Sequence, residues 1–94
     1  MKVYMINYDC VQQSSIRGNM HENGMLGLFA DHDHAVCEAL DFGIDCLEDK
    51  CDVSATAEDF NFTEDEVCAE WECHMKFMDG YTSVIMTIVP YDVR

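Results

Sequence analysis

TEDEVCAEWECHMKFMDG, residues 63–80, can be read in two ways, and the choice decides the fold. Thr63 and Glu66 have the spacing of a capping box, and carboxylates crowd the same turn. Both features favour a helix start, because acids there accept free amide hydrogens and complement the helix dipole. Against this, Val67, Ala69, Trp71, Cys73, Met75 and Phe77 alternate with mostly polar residues, which is the period of a strand. Asp79-Gly80 is then a strong signal for a two-residue hairpin. Taken literally, that turn pairs Phe77 with Thr82, Met75 with Val84 and Cys73 with Met86, so the apolar sets share one face. The spacing therefore predicts a short helix near 64–70, a strand near 73–78 and a last strand over 81–89. Pro90 has no amide hydrogen to donate and is expected to end the ladder.

Working outward, KVYMINYD (2–9) is rich in β-branched and aromatic residues and predicts a first strand. Residues 10–23 are polar and contain Gly18 and Asn23-Gly24, so they predict a long hairpin loop, with MLGLFA (25–30) returning as a second strand. Asp31 or Asp33 can cap a helix, and Val36, Leu40, Gly43/Ile44 and Leu47 follow at helical spacing. That helix is expected to run to about Lys50, weakened at Gly43 by up to ~1 kcal/mol relative to alanine. Residues 51–62 read as a loop with a short extended piece at 51–53. The expectation is one α+β domain over 1–94: a small antiparallel sheet of three or four strands with one or two helices packed on one face.

The net charge of −14 is unevenly placed. Lys2 and Arg17 balance Asp9 and Glu22 in residues 1–30, and Lys76 and Arg94 balance Asp79 and Asp92 in residues 73–94. Residues 31–72 hold fifteen acids against Lys50 alone. Such a field repels nucleic acid and membrane surfaces and attracts basic protein surfaces. No apolar run approaches the ~20 residues of a membrane span, and Asn7 and Asp9 interrupt any signal-like stretch at the start. The expected location is the cytoplasm (of the host cell, for a viral chain), where the six cysteines are expected to stay thiols.

The motifs that could carry chemistry are weak. Cys46-x4-Cys51 and Cys68-x4-Cys73-His74 lack zinc-ligand rhythm, since structural sites favour two to four intervening residues. On a helix Cys37 and Cys46 point to opposite sides, and on a strand Cys68 and Cys73 do the same. Cysteine more often serves as a small buried hydrophobe. Asp31-His32-Asp33-His34 reads as a cap with solvated neighbours, because histidines two apart diverge on a helix. Asp59-x-Asn61-x-Thr63-x-Asp65, with Glu70 twelfth, resembles an EF-hand calcium loop, but Glu64 stands where that loop needs glycine. No phosphate loop, nucleophile elbow or C-x-x-C occurs. The expectation is a protein that is not an enzyme, with no cofactor and no metal site.

The acids, by contrast, form a pattern. With Glu38 as zero on the expected helix, Asp41, Asp45, Glu48 and Asp49 fall within about 80° of it, and Asp52 joins them if the helix extends that far. Val36, Leu40, Ile44 and Leu47 fall opposite. Phe42 sits inside the acidic stripe, where an aromatic ring could anchor an interface. Asp65, Glu66, Glu70 and Glu72 add a second acidic segment. In size and charge the chain resembles small phage-encoded anti-restriction and anti-CRISPR proteins that mimic DNA. The resemblance implies an inhibitor that docks on the basic, nucleic-acid-binding surface of a partner protein or nuclease complex and blocks it, without touching nucleic acid or membrane. The same composition also fits an acidic accessory domain without inhibitory role, a homodimer joined through a strand edge, or a small zinc- or calcium-binding protein.

Overall fold

The computed structural model describes residues 1–16, 18–50, 53–77 and 80–93. Five strands form one antiparallel sheet: β1 (Lys2–Ser14), β2 (Gly18–Phe29), β3 (Asn61–Glu64), β4 (Ala69–Phe77) and β5 (Gly80–Asp92), in the order β2-β1-β5-β4-β3. One α-helix, α1 (His32–Asp45), lies on one face and runs into a π-helical turn over Cys46–Lys50. A short 3₁₀ turn, Ala57–Asp59, follows. The expected three or four strands with one or two helices are thus corrected to five strands and one α-helix, within the same α+β class.

Each departure has a local cause. The strand missed by sequence reasoning is β3, whose four residues are all exposed and carry no alternation of their own. The helix expected near 64–70 does not form, because the period-two set Ala69, Trp71 and Cys73 is buried against the sheet's neighbours and draws the chain into β4. The Asp65 carboxylate instead accepts the amide hydrogens of Val67 and Cys68, at 2.8 and 2.7 Å, and closes the turn between β3 and β4. The β4–β5 register pairs Met75 with Thr82 and Cys73 with Val84, two residues off the expected pairing. A slip of two keeps every side chain on its expected face. Asp79, the first residue of the expected turn, lies outside the described residues, and Gly80 already belongs to β5.

Of the loop expected over 10–23, residues 10–14 belong to β1 and 18–23 to β2. β1 runs on to Ser14 because it finds partners on both sides, pairing with β5 from Lys2 to Ser14 and with β2 from Tyr4 to Ser14. Asn23 and Gly24 make no turn; they pair with Asp9 and Tyr8. The chain reverses between Ser14 and Gly18, and Gly18 takes the positive φ of 88° that a tight hairpin needs and that costs other residues dearly. Pro90 does not end the ladder either. β4 stops at Ala69, opposite Ile88, so β5 at Pro90 has no neighbour on that side and its missing amide hydrogen is not needed.

The core lies between α1 and the sheet. Ile6 and Cys10 of β1, Val84, Met86 and Ile88 of β5, and Ala69, Trp71 and Cys73 of β4 face it. The innermost line of the helix is Ala35, Ala39 and Gly43, with Val36, Leu40 and Ile44 half-buried on its flanks. Small residues at the centre let the helix come close to the sheet. A β-carbon at Gly43 would lie 2.6 Å from the Met86 sulfur and 2.9 Å from the Phe60 ring. Cys46 and Leu47 then turn inward. The Cys46 sulfur meets the Cys10 sulfur at 2.7 Å and ties the end of the helix to β1. Ala55 and Phe60, from the segment that follows, cover the β4 end of the core.

Candidate functional site

Asp31 caps α1, its carboxylate accepting the Asp33 amide hydrogen at 3.1 Å. With the Ala35–Ala39–Gly43 line fixed against the sheet, the opposite side of the helix is set by geometry. Asp41 and Asp45 are exposed there, and Glu48 and Asp49 continue exposed along the π-helical turn. Glu38 is half-buried and lies 3.4 Å from the His34 ring nitrogen, one turn back. Among the residues whose side chains are described, which do not include Lys50, no lysine or arginine pairs with any of these carboxylates. Asp52, expected to extend the line, lies outside the described residues.

Phe42 is half-buried, and its ring rests on Tyr8 of β1 with centroids 4.4 Å apart. The contact ties the acidic helix to the sheet. The Tyr8 hydroxyl in turn donates to Glu22 at 3.4 Å, which brings another carboxylate to this side of the molecule.

The second acidic segment is divided by the fold. Asp65 and Glu66 are exposed in the β3–β4 turn. The backbone hydrogen bonds from Cys68 and Val67 hold the Asp65 carboxyl below its ordinary range, so its charge is fixed by the turn it closes. Burial, followed by the Asp65 charge, pushes the Cys68 thiol up. Glu70 and Glu72 sit on β4 between the buried Ala69, Trp71 and Cys73, so alternation sends them to the other face of the sheet. Glu72 lies 3.5 Å from His74, whose other ring nitrogen meets the Tyr81 hydroxyl at 2.6 Å. The expected site residues therefore do not make one surface. Glu38, Asp41, Asp45, Glu48 and Asp49 share the helix side, Asp65 and Glu66 lie at the end of β3, and Glu70 and Glu72 point away from all of them.

A small notch of about 150 Å³ joins the β3–β4 turn to the start of the helix, with Glu64, Asp65, Glu66 and Cys68 on one wall and His32 on the other. This juxtaposition was not readable in the sequence, because it depends on β3. The histidines of Asp31-His32-Asp33-His34 part company as expected. His32 packs edge-on against Tyr4 and His34 against Phe29, each with ring centroids 5.1 Å apart. The residues of the calcium-like pattern are spread over the 3₁₀ turn, β3, the following turn and β4. Among the described residues, no group of three or more His, Cys, Asp or Glu side chains is arranged to hold a metal ion, and no helix is long and apolar enough to cross a membrane. No protein-family model, curated protein or solved structure matches the chain.

Proposed function

We propose that the protein is a non-enzymatic acidic binding protein that docks its helix side on a basic, nucleic-acid-binding surface of a partner protein and blocks it. The observation that carries this reading is the run of carboxylates on α1 and its π-helical turn, without lysine or arginine partners among the residues whose side chains are described. Such a run offers guanidinium and ammonium groups what a phosphate backbone offers them: closely spaced negative charge with open acceptor oxygens. A line kept un-neutralised costs the helix ~0.2–0.5 kcal/mol per like-charged pair, so it is a poor choice for stability alone. Its partner would be a nuclease complex or another nucleic-acid-binding protein in the cytoplasm, that of the host cell for a phage-encoded chain.

The test is competition. A nucleic-acid-binding protein captured by the wild-type chain should release it when duplex DNA is added, and should bind the Glu38→Ser, Asp41→Ser, Asp45→Ser, Asp49→Ser variant about tenfold to a hundredfold more weakly, at ~0.3–0.7 kcal/mol per exposed ion pair. Simultaneous binding of DNA and the chain to that protein would sink the proposal.

A further inference from the structure

The sheet has a second face that nothing among the described residues covers. Alternation, with the register shift between β1 and β2 at Ile6/Asn7, places Val3 and Met5 of β1, Met25 and Leu28 of β2, and Val89 and Tyr91 of β5 on it, opposite to α1. Met25, Leu28 and Tyr91 are 56, 59 and 50% exposed, and with Val3 and Met5 they line an open apolar cleft of about 420 Å³. A contiguous apolar patch of this kind marks an interaction surface.

The charge on this face differs from that of the rest of the molecule. The formally charged residues that alternation directs to it are Asp9, Glu70, Glu72 and Lys76, and Asp92 at the end of β5 also lines the cleft. Asp9 is joined to His21 at 2.7 Å, and Glu70, Glu72 and Lys76 lie on β4, where Glu70 shares the cross-sheet row of Met25 but is separated from it by β5 and β1. The face with its cleft therefore carries a formal charge of −3, four acids against one base, in a chain of −14. It is a sparsely charged surface on a strongly acidic protein.

We infer that this open face is the interface of a homodimer, in which two sheets pack face to face about a twofold axis parallel to the strands, apolar end against apolar end, and the acidic helices point outward. Two arguments select a second copy as the occupant. The first is charge. Sheets stack ~10 Å apart, and a helix layer adds ~10 Å on each outer side, so the two acidic layers stand about 30 Å apart. That is roughly three Debye lengths at physiological salt, so their repulsion is screened. Pairing through the helix side would instead bring the carboxylate lines within one Debye length. The second argument is area. Strands of 12 and 13 residues at ~3.3 Å per residue, three abreast at ~4.8 Å, with the shorter β4 beside them, present on the order of 700 Å² per chain. A stable interface needs about 800 Å² per partner. The dimer leaves both acidic surfaces free, so it stands independently of the docking proposed above.

The experiment is sedimentation equilibrium of the full chain over a concentration series at low and high salt. The expected result is a reversible monomer–dimer equilibrium that tightens as salt rises, because screening relieves the residual repulsion, whereas docking on a basic partner weakens with salt. Met25→Asp with Leu28→Asp should raise the dimer dissociation constant by roughly thirtyfold or more, the scale of a lost hot spot, with an unchanged circular dichroism spectrum since both positions are exposed. A wild-type chain that stays monomeric throughout overturns the inference whatever the variant does. So does a dimer that slows amide-hydrogen exchange along the outer edge of β2, since edge pairing protects those amides and face packing does not.

Discussion

The sheet presents two unlike surfaces from the same backbone. On the helix side Ile6, Val84, Met86 and Ile88 are wholly buried beneath a line of small helical residues. On the other side Met25, Leu28 and Tyr91 keep half or more of their surface in solvent. The helix side is roofed by carboxylates and the other side carries few charges. What separates them is the single helix: a chain with one helix roofs one face of its sheet, and the acids on that helix give the roof its charge. Stability, affinity and self-association should then respond to different residues.

The contrast is broken most directly in the core. Met86→Ala should cost about 2–5 kcal/mol in chemical denaturation, while Leu28→Ala, measured where the chain is monomeric, should stay within about 0.5 kcal/mol. Equal losses would mean that the open face is covered within one chain. Gly43→Ala probes how closely the roof approaches. Alanine favours the helix by about 1 kcal/mol, yet its β-carbon must displace the buried Met86 side chain and the Phe60 ring, and overpacking costs about 1–3 kcal/mol. The expected result is a net loss of stability, and a gain would show that the helix sits further from the sheet.

Two smaller effects sharpen the picture through pH. The Cys73 thiol is pushed above its ordinary value of 9.0 by burial and then by the Asp59 charge. The unfolded chain therefore ionises first, and the stability this thiol contributes is fully present below 9.0 and lost as pH rises towards the higher folded value. Cys73→Ala should flatten that alkaline loss in thermal melts, although its overall stability falls. Asp65 works in the opposite direction. Its folded value lies below 3.8, so its contribution is present above 3.8 and lost as pH falls through the lower folded value. Asp65→Asn should show a shallower acid limb than the wild type, and identical limbs would remove the turn from the account.

Much of the roof was legible in the sequence. Asp31 as a cap and the helical spacing after it located α1, and the density of acids located its charge. The floor was less legible. The polar residues 10–14 and 18–24 have no strand signature because their strand state comes from pairing, the first with β5, about seventy residues away, and the second with β1, rather than from their own side chains. β3 is four exposed residues that exist as strand only beside β4. The split of Glu70 and Glu72 from the helix acids followed from the alternation once residues 69–77 were known to be strand, and the helix-or-strand ambiguity of 63–80 hid it. The contacts of Phe42 with Tyr8 and of Cys46 with Cys10 each join residues more than thirty positions apart, which no local pattern encodes.

The central claim is that the helix carboxylates are a docking surface. Its most direct measurement is the affinity of a captured nucleic-acid-binding protein for the wild-type chain and for the Glu38→Ser, Asp41→Ser, Asp45→Ser, Asp49→Ser variant, each at two salt concentrations. The account predicts that wild-type affinity falls steeply with salt, and that the variant binds about tenfold to a hundredfold more weakly with a shallower salt dependence. Equal affinities for the two chains, with no dependence on salt, would contradict it.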